Sequence, residues 1–270
     1  MTHRLSPAQV QFYREQGYLL FGEPVFAPRM FAELKEHIES RFAAWTEALG
    51  KPLDVIDWPH FVDPKLNEWL LADEVLDLVE PLVGPDIALF ACSFLTKLPL
   101  AARAAPWHED ASYWTELADR IEGCTLWLAI DHSVVETGCM RVIPGSHQER
   151  NRLHGPVDDR SRMLLDRQVD PGTFDELDAV DCILEPNTCS LHDAYTIHGS
   201  RDHTGTTRRC GFQMRYVPTT VKALNGHRMY LARGRDHAGN DYGDPTKVNE
   251  RRLENNPQKQ MMARISEELG

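Results

Sequence analysis

The sequence lacks an excess of basic residues, and it lacks long apolar runs. Lys and Arg number 29 against 41 Asp and Glu, which gives a formal net charge of -12. This balance argues against nonspecific binding to nucleic acid or to an anionic membrane, because both need a basic surface. No stretch approaches the roughly 18 apolar residues of a membrane-spanning helix. The opening residues MTHRLSPAQVQFYREQ also contain no apolar signal-peptide core. We therefore expect a cytoplasmic protein.

Closely spaced cysteine pairs are missing as well. None of the six Cys forms a CxxC pair, and most lie inside apolar runs such as CTLWLAI. A chain of 270 residues can bury a core without disulfides, so we expect reduced, buried thiols. Internal repeats, low-complexity tracts and a clear linker are also lacking, and we expect a single domain over residues 1–270.

The N-terminal third of the sequence predicts helices. Ser6 and Gln9 have the spacing of a capping box around Pro7, and Gly17 is a stop signal before a strand at GYLLF. From Met30 to Leu49, apolar residues recur at three- and four-residue steps, which predicts a second helix that ends at Gly50. Residues 65–83 also predict a helix.

Short apolar runs broken by turn residues begin near Asp86 and continue to about Val217. Such a succession of short predicted strands is typical of a β-sandwich or barrel. Residues 147–175 are polar and predict a long loop, and the end of the chain predicts a helix. These patterns indicate an α+β protein, with a helical N-terminal layer on a β core at about 86–217 and a C-terminal extension.

The stretch PWHEDASYW places His108 two positions before Asp110. Side chains two apart on an extended chain point the same way, so both can reach one point. Imidazole with carboxylate suits Fe(II), Mn(II) or Zn(II), although such a pair is by itself more often structural. His198 is the preferred third ligand because Gly, Ser and an arginine-bearing strand follow it. His192 is the alternative that the residues leave open.

The strand after His198 has two distinct faces. Arg209, Gly211, Gln213 and Arg215 share one face, which is polar. Such a face is either a plain solvent face or the lining of a wet cavity, where an arginine would bind a small carboxylate through a two-pronged pair.

The stretches PWHEDASYW, TLWLAID, ETGCMRVIPGSH and IHGS…RRCGFQMRYVP together resemble the phytanoyl-CoA dioxygenase family of Fe(II)/2-oxoglutarate-dependent oxygenases. The resemblance implies that His108, Asp110 and His198 bind iron. It also implies that Arg209, eleven residues after His198, binds the far carboxylate of 2-oxoglutarate with help from Ser200.

The resemblance extends to further residues. It implies that Lys97 and Trp127 line the cosubstrate pocket. His203 stands where the family often has Asn, which leaves Arg208 as an alternative to Arg209. Asp110 favours hydroxylation, because halogenating relatives replace that carboxylate by a small residue. We expect four residues to contact substrate: Tyr113, Trp114, Arg141 and Arg215.

The fold implied by the resemblance is a double-stranded β-helix, a cupin-like jelly-roll barrel, with N-terminal helices packed on one side. The implied activity uses Fe(II), 2-oxoglutarate and O2 for hydroxylation and releases succinate and CO2. The resemblance does not identify the substrate, but the sequence shows no strongly apolar tunnel, so we expect a small polar metabolite or natural product. Two alternatives remain open, a cupin-type metal dioxygenase that needs no 2-oxoglutarate and a non-enzymatic jelly-roll binding module. The sequence does not indicate an oligomeric state.

Overall fold

Helices flank two main antiparallel sheets in the computed structural model, which describes residues 4–99, 103–150, 152–249, 253–254 and 256–270. The helices are α1 (Pro7–Gln16), α2 (Pro28–Leu49), α3 (Asn67–Leu70), α4 (Asp73–Val83) and α5 (Pro257–Leu269). The strands are β1 (Tyr18–Phe21), β2 (Val55–Asp57), β3 (Ile87–Lys97), β4 (Ala105–His108), β5 (Cys124–Ala129), β6 (Met140–Val142), β7 (His154–Pro156), β8 (Arg167–Val169), β9 (Val180–Cys182), β10 (Cys189–Asp193), β11 (His198–Ser200), β12 (Arg209–Pro218) and β13 (Tyr230–Arg233).

The major sheet has the strand order β1-β10-β5-β12-β3-β13, and β2 also pairs with β3. The minor sheet has the order β4-β11-β6-β9, while β7 and β8 form a separate pair. The prediction of helices combined with antiparallel sheets is confirmed. The major sheet extends beyond the predicted β core at 86–217, because β1 and β2 come from the N-terminal part of the chain and β13 follows Val217.

The local signals at the N-terminus act as expected. Ser6 and Gln9 form the capping box of α1, and Gly17 ends the helix with a φ of 77°. Gly50 ends α2 with a φ of 65°. Both glycines adopt the left-handed conformation that L side chains disfavour, so each stops its helix and redirects the chain.

Two predicted elements differ in the structure. The predicted helix at 65–83 is split at Leu71 and Ala72, where α3 ends and α4 begins. The predicted loop at 147–175 contains the β7–β8 hairpin, and its residue 151 lies outside the described residues. Strands of three residues carry too few apolar positions to show a period in the sequence.

One apolar cluster joins the helices to the outer face of the major sheet. Leu34 and Trp45 of α2 belong to it, together with Phe94 of β3, Phe212 of β12 and Met262 of α5. The alternate residues of β3 and β12 face the other way, toward the minor sheet. The helical layer therefore leaves the inner face of the major sheet available to line a cavity.

The six cysteines are all buried and unpaired, which confirms the prediction of core thiols. Burial raises the pKa of Cys124 to about 12 and that of Cys139 to about 11, so these thiols stay protonated at neutral pH. Among the described helices, none has the length and apolar character to cross a membrane.

Candidate metal centre and cavity

His108, Asp110 and His198 come together because β4 and β11 are antiparallel neighbours. His108 lies directly opposite His198 in their register, and Asp110 follows β4 by two residues. One ligand atom from each of the three side chains lies within 4.8 Å of the others, and all three residues are buried. No other such group of His, Cys, Asp or Glu occurs within the described ranges.

Both imidazoles of this triad are oriented by the same local contact. His108 Nδ1 lies 2.8 Å from the carbonyl oxygen of Pro106, and His198 Nδ1 lies 2.9 Å from that of Thr196. A carbonyl only accepts, so Nδ1 carries the proton and Nε2 presents its lone pair. His198 Nε2 is buried without a hydrogen-bond partner among the described residues. Burial also lowers the pKa of His108 and of His198, so both rings are held neutral, as metal binding requires.

The Asp110 carboxylate is held by donors on the major sheet. Its Oδ2 accepts from Thr125 Oγ1 at 2.8 Å and from Arg215 Nε at 3.3 Å. Burial alone would raise the pKa of Asp110, but Arg215, His192 and His198 outweigh it and hold the pKa well below its usual value. Oδ1 accepts only a longer contact from Arg215 Nη2, at 3.5 Å, so it is the oxygen with more remaining capacity to bind a metal ion.

His192 is placed behind the triad rather than in it. Its ring centroid lies 4.4 Å from that of His198, and its Nε2 lies 3.5 Å from Asp110 Oδ2. The side chain is fully buried on β10. The register of β4 and β11 thus decides between the two candidate imidazoles in favour of His198.

The triad lies in the wall of a cavity of about 480 Å³ between the two sheets. A larger and more open depression of about 1000 Å³ lies beside α5 and residues 243–249, and no member of the triad lines it. The metal-ligand geometry, rather than size, identifies the smaller cavity as the candidate site. Other residues that line it include Trp58, Phe90, Ser93, Tyr113, Trp114, Trp127, Arg160, Leu165, Asp166, Ser200, Arg209, Gln213 and Arg215.

Arg209 lines this cavity, whereas Arg208 does not. Arg209 donates to the carbonyl oxygen of Gly138 at 2.5 Å, and its Nε is buried with no partner among the described residues. Burial lowers the pKa of Arg209 to about 10, so an added carboxylate would compensate a desolvated cation. Arg208 pairs instead with Glu39 and Asp131.

Trp127 and Ser200 line the cavity together with Arg209, whereas Lys97 lies beside Arg209 but not in the cavity wall. Lys97 is directly opposite Arg209 in the pairing of β3 with β12, and its ammonium donates to the carbonyl oxygen of Arg201. Burial, followed by the charge of Arg209, lowers the pKa of Lys97 to about 6. Ser200 Oγ lines the cavity and accepts from the backbone N–H of Ala105 at 3.1 Å.

Trp127 explains the glycine gap in the polar face of β12. A Cβ at Gly211 would lie 1.9 Å from the indole of Trp127. The same indole lies 5.1 Å from the Arg209 guanidinium carbon, within range of a cation–π contact. A side chain at position 211 would displace this wall of the cavity.

His203, which departs from the family pattern, braces the turn before β12. Its Nε2 donates to the carbonyl oxygen of Thr207 at 2.6 Å, and its Nδ1 accepts from the N–H of Gly205 at 3.0 Å. The turn keeps its register, and Arg209 still reaches the cavity.

Three of the four predicted substrate residues line the cavity, and the fourth does not. Tyr113, Trp114 and Arg215 lie in its wall. Arg141 faces the opposite side of the minor sheet, where it pairs with Glu176 and Asp181. The structure does not bring Arg141 into the cavity, because its neighbour Met140 is the residue of β6 that faces the cavity.

The sequence interpretation missed several residues of the site. Thr125, which donates to Asp110, shares a face with Trp127 on β5, and this alternation was the available signal. Ser93 likewise follows from the parity of β3, whereas Gln213 had already been placed on the polar face of β12. Trp58 gave no comparable signal, because it precedes a short turn outside the predicted β core.

Comparison with known proteins decides the family. The family model described as "Phytanoyl-CoA dioxygenase (PhyH)" matches residues 13–210, which include the triad and Arg209. This chain belongs to the phytanoyl-CoA dioxygenase family. The resemblance drawn from the sequence motifs is thereby confirmed.

Two curated proteins place this phytanoyl-CoA dioxygenase family member among its relatives. A Stutzerimonas stutzeri protein named "Probable alpha-ketoglutarate-dependent hypophosphite dioxygenase" is 27% identical over 183 residues, which cover 65% of this chain and 61% of that protein. "Dioxygenase lolE1" of Epichloe uncinata is 28% identical over 164 residues, which cover 54% of this chain and 60% of that protein. The matches thus span about three fifths of the length of these relatives.

Solved structures share the fold of this family member. The structure titled "non-heme monooxygenase; ThoJ apo" aligns with a TM-score of 0.75 at 19% identity, covering 97% of this chain and 100% of that chain. "CytC3 with Fe(II) and alpha-ketoglutarate" aligns with a TM-score of 0.66 at 21% identity, covering 90% of this chain and 95% of that chain.

Proposed function

We propose that this protein is a non-haem oxygenase that depends on Fe(II) and 2-oxoglutarate and hydroxylates a small molecule. The observation that carries the proposal is the buried triad of two imidazoles and one carboxylate at a cavity that also contains Arg209. Two His and one carboxylate leave coordination positions open, which suits non-haem Fe(II) oxygenases. The family membership and the relatives named for alpha-ketoglutarate support the same function.

In this proposal each residue has a distinct role. His108, Asp110 and His198 hold the iron, and Arg209 pairs with the far carboxylate of 2-oxoglutarate, with Ser200 beside it. When bound, iron and 2-oxoglutarate supply the oxidation of substrate by O2, with release of succinate and CO2. Trp127 keeps the Arg209 guanidinium in place, while Thr125 orients the Asp110 carboxylate.

We also propose the finer fold and the substrate class. The major and minor sheets would be the two halves of a jelly-roll barrel, within one domain over 1–270. The substrate would be a small polar metabolite or natural product, because a cavity of about 480 Å³ lies within the range of small-molecule sites. It would exceed a small inorganic anion, because the cavity includes an aromatic wall beyond the triad. Cytoplasmic location stays a prediction.

Anaerobic reconstitution tests the proposal. Fe(II) and 2-oxoglutarate added to the wild-type protein should produce the weak visible charge-transfer band of a 2-oxoglutarate–Fe(II) chelate. Asp110→Ala should lose the band. Ser190→Ala is the matched control, because it removes a buried hydroxyl on β10, the neighbour of β5 in the major sheet. This variant should retain the band. Absence of the band in the wild type, or oxygen uptake that needs no 2-oxoglutarate, would contradict the proposal.

A further inference from the structure

The inner face of the major sheet carries a second polar group beside the metal centre. Gln213 on β12 lies opposite Ser93 on β3 and opposite Trp127 on β5. All three residues line the cavity, and the Gln213 residue is only 2% exposed. Neither the metal ligands nor the contacts around Arg209 use this side chain.

The neighbours of Gln213 fix the direction of its amide. Arg215 Nη2 lies 2.6 Å from Gln213 Oε1, and Ser93 Oγ lies 3.1 Å from the same oxygen. A guanidinium can only donate, so the amide atom that faces Arg215 must be the oxygen. The amide N–H2 group then points away from Arg215, and none of the hydrogen bonds between described residues uses it.

An amide donor that lines a cavity and has no partner among the described residues is available to whatever fills the cavity, so this position favours a ligand that supplies an acceptor. The charge of Arg215 is already balanced by Asp110, at 3.3 Å. The group offered to a ligand at this point is therefore a fixed, neutral donor rather than a free cation.

The wall around this donor is largely aromatic. Phe90 and Trp114 pack together with centroids 4.8 Å apart, and Trp58 lines the same cavity. Trp58 has a φ of 52°, a left-handed conformation that costs a non-glycine residue free energy and is often found at functional sites. Its ring is fixed by Lys259, whose ammonium lies 4.7 Å from the ring centroid.

We propose that Gln213 recognises the substrate through its amide N–H2 group, and that the substrate bears a carbonyl-type oxygen on a flat apolar body. The oxygen accepts from Gln213, and the body packs against Trp58, Phe90 and Trp114. This inference rests on the proposed function, because it assigns this half of the cavity to the substrate.

Two probes of equal ring size and opposite polarity test the inference. Acetophenone carries a carbonyl acceptor, whereas benzylamine carries a cationic donor at neutral pH. Binding is measured by ligand-observed NMR on protein loaded with Zn(II) and 2-oxoglutarate, which does not turn over. Wild-type protein should bind acetophenone more tightly than benzylamine.

Gln213→Glu is the decisive variant, because it keeps an oxygen toward Arg215 and Ser93 and replaces the N–H2 group by a second oxygen. It should weaken acetophenone binding by about tenfold and strengthen benzylamine binding, since the lost contact is one hydrogen bond with an added repulsion. Gln213→Met, which removes both polar atoms, should weaken acetophenone binding without favouring benzylamine. Ser190→Ala should leave both affinities unchanged.

The outcomes are separable from those of the proposed function. Loss of the charge-transfer band in wild-type protein would defeat the oxygenase proposal itself. If the band forms but acetophenone fails to bind at millimolar concentration, the Gln213 assignment alone fails. It also fails if benzylamine binds more tightly to the wild type, as recognition by the rim carboxylates Asp57 and Asp166 would predict, or if Gln213→Glu leaves the preference unchanged.

Discussion

Arg208 immediately precedes β12, Arg209 is its first residue, and the two side chains point in opposite directions. Arg209 lies in the cavity wall, whereas Arg208 pairs with Glu39 and Asp131 on the helical side. Arg209→Ala should raise the 2-oxoglutarate concentration needed for half-maximal rate by roughly 10- to 100-fold, as expected for hydrogen bonds to a charged group. The rate of succinate formation is measured against 2-oxoglutarate concentration.

Arg208→Ala is the matched control for this prediction. It should leave the 2-oxoglutarate requirement unaltered and lower the free energy of unfolding by only about 1 kcal/mol, because its ion pairs are partly exposed to solvent. An unaltered requirement in Arg209→Ala would disprove the assignment of the anion-binding arginine.

Lys97 should make stability depend on pH in a definite direction. Burial lowers the pKa of Lys97 to about 6 in the folded protein, whereas an unfolded lysine has a pKa of about 10.4. Between these values the unfolded chain binds more protons, so the free energy of unfolding should rise with pH. The contribution is at most about 1.4 kcal/mol per pH unit.

Urea denaturation of the metal-free protein at pH 6.5 and 8.5 measures this effect. Lys97→Met should flatten the rise relative to wild type, because methionine fills the space without a titrating group. Lys259→Met, which removes a lysine over the Trp58 ring, is the comparison variant and should retain the rise. Equal pH profiles for wild type and Lys97→Met would show that the ammonium is not desolvated as the structure indicates.

At the scale of elements, the pairing of β4 with β11 brings together the triad of the candidate metal centre. The two-residue spacing of His108 and Asp110 was sufficient to predict a shared face, but the sequence contained no measure of the distance to His198. That distance follows from backbone pairing, which is a tertiary property. The motif spacing of the family supplied the missing information.

Strand parity explains which side chains were placed correctly and which were not. β12 has ten residues, so its alternation placed Arg209, Gln213 and Arg215 on one face, as found. β6 has only three residues, and its parity could not be fixed from the sequence. The sequence therefore could not show that Arg141 points away from the cavity.

The segment before the β7–β8 hairpin is attached to the metal centre by a buried ion pair. Arg152 Nη1 donates to Glu109 Oε1 at 3.0 Å and to the carbonyl oxygen of Ser146 at 2.6 Å. Both charged side chains are at most 5% exposed. Burial raises the pKa of Glu109 to about 7, so the comparison is made at pH 8, where the carboxylate is mostly ionised. There Arg152→Met would leave this buried carboxylate with only His154, at 3.9 Å, in an ion-pair position among the described residues, which should lower the free energy of unfolding by roughly 3–5 kcal/mol.

Denaturant midpoints test this attachment with a double-mutant cycle. Glu109→Gln combined with Arg152→Met should recover most of the lost stability, because it removes the unpaired charge. Arg150→Met, at an exposed position two residues away, should change stability little. Additive effects of the two substitutions would show that the pair does not interact.

For the whole molecule, Phe94 connects the helical layer to the sheet that forms the cavity. Its ring stacks on Phe212 of β12 at 4.3 Å and meets the edge of Phe42 of α2 at 5.1 Å. If residues 1–270 form one domain, both layers share this core and must unfold together.

Phe94→Ala should therefore lower the free energy of unfolding by about 3–5 kcal/mol, the usual cost of emptying an aromatic core position. Far-UV circular dichroism reports the helices, and tryptophan fluorescence includes Trp127 in the cavity wall. Both should shift together to the same lower denaturant concentration. Phe174→Ala, which removes a half-buried ring packed on Trp107, should shift the transition by less, since part of that ring is already in water. Separate transitions by the two probes would instead show that the helical layer and the sheets unfold independently. The stability of the cavity would then not depend on the helical layer.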